Sequence, residues 1–218
     1  MTEANPETVY VWDPFVRIAH WAVVAGFAVA FLTEDEALRL HVWAGYLVGC
    51  LVALRVLWGF LGPRHARFSD FIYRPRKVVR YIVDLLTFRA ARHLGHSPAG
   101  GAMVVALLLC LGATVGTGLV DYAISKGAGP LAGIVADTAA DRSQKVSSST
   151  YTATAGDEGE KSHRKEGRRR GSVWRGIHET FANLTLMLVI VHIGGVFLAS
   201  IVHRENLVRA MISGRKRR

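Results

Sequence analysis

The sequence predicts an all-α integral membrane protein, a four-helix transmembrane bundle with both termini in the cytoplasm. First, 50% of its 218 residues are hydrophobic although its net charge is +10, and its mean hydropathy is +0.24. A soluble basic protein, such as a nucleic-acid binder, does not normally average above zero hydropathy. Second, the apolar residues form continuous runs and the basic residues collect between them. We therefore expect membrane lipid as a partner and no nucleic acid.

Four apolar runs are long enough to cross a hydrocarbon core, which needs about 20 residues. Asp13-Pro14 is a helix-start signal before the first run, Ser97-Pro98 repeats it before the third, and Gly62-Pro63 stops the second. The first run has no clear cleavage site after it, so we interpret it as a retained helix. The predicted spans cover about 15–32, 41–61, 102–120 and 174–202, within a single domain of residues 1–218.

The orientation follows from the distribution of Lys and Arg. The connection 63–93 and the tail 203–218 together hold fourteen basic and three acidic residues. The connections on the other side, 33–40 and 121–173, hold ten of each. The positive-inside rule therefore places both termini and the second connection in the cytoplasm, although Arg168 to Arg170, just before the fourth span, oppose this orientation.

Two connections carry further predictions. Residues 77–93 have apolar side chains at helical spacing, at Val78, Ile82, Leu85 and Leu86, which predicts either an amphipathic helix on the inner membrane surface or a helix docked on the bundle. Residues 144–172 consist of Ser, Thr, Gly and charged residues with almost no large apolar side chain, so they cannot bury a core. We predict a mobile periplasmic loop there.

Four of the nine histidines lie within or at the first turn of a span: His20, His41, His178 and His192. Ionisable residues are rare inside a bilayer and usually face a partner in the bundle interior. His178 and His192 are fourteen residues apart, about 21 Å of helical rise, and point within roughly 40° of the same direction. Because successive spans alternate in direction, His20 and His192 share the inner level, while His41 and His178 share the outer level. One such histidine alone could equally be a hydrogen bond between helices.

Two facing imidazoles, with no cysteine or clustered carboxylate to complete a tetrahedral zinc site, favour axial ligation of haem iron. The two cysteines, Cys50 and Cys110, are both in apolar runs and exclude a disulfide framework and covalent haem attachment. The sequence therefore predicts two non-covalent haems at these two levels. A haem with both axial positions filled by protein carries electrons, because no position is left open for a substrate.

Two further residues are candidates for cofactor binding. Gly45, one turn after His41, leaves room for a porphyrin face, although Gly45 and Gly49 also form a GxxxG helix-packing step. Arg55 lies fourteen residues after His41 and near the inner level, where an unpaired cation is costly. A haem propionate suits its guanidinium, and snorkelling to the inner surface is the alternative.

At these residues the chain resembles the bacterial cytochrome b561 family, which includes the cytochrome b subunits of nickel-iron hydrogenases. The matching motifs are VWDPFVRIAHW at 11–21, LHVWAGY at 40–46, RVLWGFLGP at 55–63, and HETFAN and VHIGG in the fourth span. The loop 127–171 looks longer than is usual for the family. In the family, one histidine each from spans one and two and two from span four bind two b-type haems. This implies that His20 with His192 binds the inner haem b and that His41 with His178 binds the outer one.

The resemblance also implies a role in the bacterial inner membrane. Such a subunit transfers electrons between a periplasmic redox partner, such as a hydrogenase small subunit or a c-type cytochrome, and the quinone pool. It would belong to a respiratory oxidoreductase, with no catalytic residue of its own, and a homo-oligomer within the larger complex is compatible with it. The alternatives are a structural membrane anchor for a peripheral redox enzyme and a histidine-lined ion permease.

Overall fold

A computed structural model describes residues 8–34, 37–63, 66–138 and 156–217. The chain divides into two compact units, one made of Met1–Gly112 with Leu184–Arg218 and the other of Ala113–Asn183. Each unit is described by itself below. The helices, in chain order, are α1 (Pro14–Leu32), α2 (Leu38–Leu61), α3 (Phe68–Phe71), α4 (Pro75–Leu86), α5 (Pro98–Lys126), α6 (132–138), α7 (Gly156–Val202) and α8 (Leu207–Ser213).

Four helices are long and apolar enough to cross a membrane, which confirms the predicted integral membrane fold. These segments are Pro14–Leu32, Leu38–Leu61, Pro98–Lys126 and Gly171–Val202. Large apolar side chains remain exposed along them, with Ile18 71% and Leu109 69% accessible, for example. Such surfaces are stable against lipid chains rather than against water. The helix ends differ from the predicted ends by a few residues, except at the start of α7.

The residues that the sequence predicts to start and stop helices do so in the structure. The Asp13 carboxylate accepts a hydrogen bond from the Val16 amide at 3.0 Å, and the Ser97 hydroxyl accepts one from the Gly100 amide at 3.2 Å. Each satisfies an amide that has no partner within the first turn of its helix. At the other end, Gly62 caps α2, and its amide donates to the Trp58 carbonyl.

Helix α7 begins at Gly156, eighteen residues before the predicted start at Trp174. Residues 156–172 are therefore helical and not the loop that their polar composition predicts. The physical reason is that Glu, Lys and Arg, which dominate this stretch, are strong helix formers even where no core is buried. The other part of the predicted loop lies outside the described residues, and its mobility stays a prediction.

Small residues allow α1 and α2 to approach each other closely. Ala19 on α1 and Ala44 and Val48 on α2 are buried, and a Cβ added at Gly26 would lie 2.9 Å from Val48 Cγ2. Small side chains at helix contacts are the usual means of packing in a bilayer, where the hydrophobic effect does not drive helices together. This packing holds the α1 and α2 histidines in a fixed register.

Helix α4 combines both alternatives that its sequence left open. Tyr81 and Leu85 are buried within the first unit, while an apolar stripe on the same helix is exposed, at Val79, Ile82, Val83 and Leu86. The predicted apolar face is therefore divided, with Leu85 buried and Ile82 and Leu86 exposed. The helix also ends at Leu86 rather than near His93. The sequence pattern could not separate a protein-facing stripe from a lipid-facing one, because both are apolar.

The two ends of the described chain pair with each other. Strands β1 (Thr8–Tyr10) and β2 (Arg215–Arg217) are antiparallel, with Val9 opposite Lys216. We call this pair the terminal clasp. Gly214, whose φ of +80° suits glycine, accepts hydrogen bonds at its carbonyl from the Val11 and Trp12 amides, at 2.9 and 3.2 Å. The clasp brings the two ends of the described chain together, and cytoplasmic termini stay a prediction.

Candidate cofactor site

His20 on α1 and His192 on α7 face each other within the first unit. Their ring centroids are 6.4 Å apart, and the ring planes meet at 57°. Two imidazoles on opposite sides of one metal ion, each bonded at about 2 Å, have ring centres about 6 Å apart. The separation therefore fits a pair of axial ligands.

The environment of His20 also fits a ligand role. Its Nδ1 atom is buried without a hydrogen-bond partner, although buried polar nitrogens are nearly always paired. The Trp21 indole stands edge-on to the ring at 5.2 Å and limits its rotation. A bound metal ion would give an imidazole so placed a partner for one of its nitrogens.

His41 lies in the first turn of α2, and its ring reaches back to α1. The Nδ1 atom donates a hydrogen bond to the Ala30 carbonyl at 2.8 Å, since a carbonyl can only accept. In the neutral imidazole this leaves the lone pair on Nε2. Metal-binding histidines usually donate their other ring N–H to such a carbonyl, which fixes the tautomer and the ring orientation.

His178 has the same arrangement in the second unit. Its Nδ1 donates to the Thr114 carbonyl of α5 at 2.8 Å, so its Nε2 carries the lone pair. The Thr117 hydroxyl donates to the same carbonyl at 3.1 Å. A Cβ added at Gly118, one turn further along α5, would lie 2.9 Å from the imidazole Cε1 atom. The ring therefore packs directly on the backbone of α5.

Three glycines near the histidines border open space. A Cβ added at Gly45, Gly194 or Gly195 would meet no heavy atom within 4 Å. Gly45 follows His41 by one turn, while Gly194 and Gly195 follow His192 by two and three residues. A flat macrocycle could lie against such backbone, so these positions fit the group that the histidines would bind.

Arg55 lies at the other end of α2 from His41. Its guanidinium donates to the Ala66 carbonyl at 3.3 Å and lies 5.7 and 6.0 Å from the ring centroids of Phe68 and Phe71. These contacts are typical of cation–π packing. The structure thus places Arg55 among aromatic side chains of α3, a location that neither sequence alternative specified.

A cluster of polar side chains lies where α4, the α7 end and the terminal clasp meet. The Tyr81 hydroxyl forms a hydrogen bond with His203 Nε2 at 3.1 Å, and the Lys216 ammonium lies 5.7 Å from the Trp12 ring centroid. Burial, and then the nearby Lys216 and Arg92 charges, lower the pKa of His203. Burial also lowers the pKa of Lys216.

The sequence reasoning missed the groups that hold the histidine rings. The Ala30 and Thr114 carbonyls are backbone atoms, which no residue pattern reveals. Gly118 had a weak signal, since Gly116-Thr117-Gly118 places two glycines within an apolar span, where each weakens a helix and so suggests a packing role.

A family model described as prokaryotic cytochrome b561 matches residues 11–214, nearly the whole chain. The chain belongs to this family. Among curated proteins and among solved structures, none matches the chain significantly.

As a prokaryotic cytochrome b561, the protein is a multi-pass protein of the bacterial inner membrane that binds haem b and transfers electrons through the membrane. The facing histidines, the buried unpaired nitrogen and the open glycine surfaces fit that group. The two hydrogen bonds from imidazole to carbonyl are of the kind that orients metal-binding histidines.

Proposed function

We propose that this cytochrome b561 binds two haem b groups and transfers electrons between a periplasmic redox protein and the membrane quinone pool. His20 and His192 would hold the inner haem, and His41 and His178 the outer one. The observation that carries the proposal is the facing pair His20 and His192, with ring centroids 6.4 Å apart on different helices. When bound, haem b supplies a reversible one-electron couple.

The second pair is supported by helix geometry and tautomer. Fourteen residues of α7 separate His178 from His192, about 21 Å of rise on the same side of the helix. His41 opens α2, which runs antiparallel to its neighbour in the chain, so it belongs to the level of His178. Both rings donate Nδ1–H to a carbonyl at 2.8 Å, which readies Nε2 as a ligand.

With two histidines to hold a haem at each level, no ligand position would be left for a small substrate, so electron transfer is the chemistry that these residues would support. The residues of the chain orient the ligands, exclude water and, through Arg55, would balance the charge of an inner propionate. Two levels about 21 Å apart would give electrons a path along the membrane normal.

The charge distribution indicates which end of this path faces the cytoplasm and which faces the periplasm. The basic connection 63–93 and the basic tail lie on the side of the terminal clasp, and the positive-inside rule assigns that side to the cytoplasm. The His41 and His178 level then faces the periplasm. A hydrogenase small subunit or a c-type cytochrome there would exchange electrons with the outer haem, and quinone would react on the inner side.

The haem count tests the proposal. The full-length protein, purified in detergent, should contain two haem b per chain by the pyridine haemochrome method. His192→Ala and His178→Ala should each retain one, and the double variant none. His163→Ala, outside the apolar runs, is the control and should retain both. One haem in the wild type, or two in either single variant, would overturn the di-haem assignment.

A second experiment tests the redox partners. Dithionite-reduced protein in liposomes should be reoxidised by an added short-chain quinone, and an oxidised c-type cytochrome should act from the periplasmic side only. A haem that stays reduced in the presence of both acceptors would instead indicate a structural anchor.

A further inference from the structure

The His178 ring packs on the backbone of α5 beside Gly118, which has no side chain. We propose that Gly118 is a positioning residue for His178: by lacking a side chain, it leaves the Thr114 carbonyl open to the imidazole and so directs Nε2 toward the haem. This deepens the proposed function, since it rests on His178 being a haem ligand.

The first step is the position of the carbonyl within the helix. Thr114 lies in the interior of α5 (Pro98–Lys126), where each carbonyl already accepts an intrahelical bond from the amide four residues later. In such a helix, a side chain at i+4 points back toward the N-terminus and covers the turn below it. The residue that would cover the Thr114 carbonyl is therefore Gly118.

The second step is the distance. A Cβ at Gly118 would lie 2.9 Å from Cε1 of His178 and 3.0 Å from Nδ1. Carbon atoms in contact prefer about 3.5–4.0 Å. A methyl group at Gly118 would therefore have to displace the imidazole, and with it the hydrogen bond to Thr114.

The third step is the contrast with His41. Its acceptor, Ala30, lies in the last turn of α1 (Pro14–Leu32), where its carbonyl accepts a 3.4 Å bond from the Thr33 capping amide and the helix does not continue over it. A ring can reach that carbonyl without any special residue one turn later. His178 makes the same bond in the middle of a helix, and glycine gives it access there.

The hydrogen bond has two effects on a ligand. It holds the ring in the Nδ1–H tautomer, and it makes Nε2 a stronger electron donor to a metal. Loss of the bond should therefore weaken ligation and raise the midpoint potential of the haem that His178 binds, because a weaker donor stabilises the ferric state less.

The test compares Gly118→Ala with Gly116→Ala in the full-length protein. Gly116 lies on the same helix, about 200° around the axis, and a Cβ there meets nothing within 4 Å. Alanine favours helix more than glycine does, so neither change weakens α5 itself. The readouts are haem per chain, the low-spin electron paramagnetic resonance signals and the two midpoint potentials.

We expect Gly118→Ala to lose one haem, or to change the low-spin signal and raise the potential of one haem only, while Gly116→Ala matches the wild type. The retained haem of His20 and His192 shows that the variant is folded. Gly118→Ala with wild-type signals and potentials, or with both haems lost, would overturn the positioning role. If His178→Ala kept both haems, the proposed function itself would fail, so the two failures are distinguishable.

Discussion

The Nδ1–H of His41, at the start of α2, donates to the carbonyl of Ala30, at the end of α1, across 2.8 Å. The bond joins two helices that are consecutive in the chain and orients the ring. An imidazole molecule could make the same bond in the same place, which allows a chemical test of its role.

His41→Gly should lose one haem, because one ligand is missing, and imidazole added together with haem should restore the low-spin absorbance. 1-Methylimidazole can bind a metal ion through its unsubstituted nitrogen. Its other nitrogen carries a methyl group, so it cannot donate a hydrogen bond to the Ala30 carbonyl. We expect it to restore the signal at a concentration about tenfold higher, equivalent to roughly 1.4 kcal/mol for the lost hydrogen bond. Equal rescue by both compounds would show that the hydrogen bond contributes nothing.

Arg55→Gln should lower the midpoint potential of the inner haem. A nearby cation destabilises the ferric state, which carries one more positive charge than the ferrous state, so its removal makes reduction harder. We expect a fall of about 50 mV, roughly 1 kcal/mol for a one-electron couple. Redox titration measures it, and Arg39→Gln, at the opposite end of α2, should leave this potential unchanged. An unshifted potential in Arg55→Gln would exclude a contact with the inner haem.

Gly101→Ala should destabilise the protein. A Cβ there would overlap the backbone carbonyl of Phe71, a residue only 1% exposed, and neither backbone nor buried ring can move away cheaply. Overpacking of this kind costs about 1–3 kcal/mol, which a thermal melt in detergent would detect. Gly112→Ala on the same helix is the control, because its Cβ would meet nothing within 4 Å. A melting temperature of Gly101→Ala equal to that of this control would contradict the close contact.

The stability of the protein should fall as the pH drops below 6.5, with His203 as one cause. The folded state holds the pKa of His203 below its ordinary value of 6.5, through burial and then the Lys216 and Arg92 charges, while Glu205 opposes them. Between the two pKa values only the unfolded chain binds this proton, so acidification favours unfolding.

The measurement is the melting temperature of wild type and His203→Gln between about pH 5 and pH 7.5, the range in which histidine titrates. Glutamine can still form a hydrogen bond with Tyr81 but does not titrate. The wild type should lose more stability than the variant on acidification, and parallel curves would show that His203 does not contribute.

Much of the fold was predictable because helices that cross a lipid bilayer are apolar along their whole length. Continuous apolar runs report spans directly, and Asp13, Ser97 and Gly62 mark helix ends by chemistry that is local in sequence. The levels of His20 and His192 followed from helical rise and alternating direction, which need no side-chain detail. The start of α7 was not predictable in this way, since hydropathy does not register a polar helix.

The orientation of the histidine rings and of the two faces of α4 could be determined only from the structure. The acceptors for His41 and His178 are backbone carbonyls, and Gly118 acts by having no side chain. In the sequence, Lys216 is one of several cations in a basic tail. In the structure it lies within the terminal clasp, close to the Trp12 ring, and is only 7% exposed. On α4, hydropathy could not show which apolar residues face protein.

The terminal clasp also constrains how the molecule is made. Strand β1 is synthesised before the first span and β2 after the last, so the two can pair only when all four helices have been inserted and the chain has returned to its starting side. Until then the N-terminal strand has an open edge that can pair with other chains. Closing this edge is therefore a final step of biogenesis, and a chain whose last helix fails to insert leaves it open.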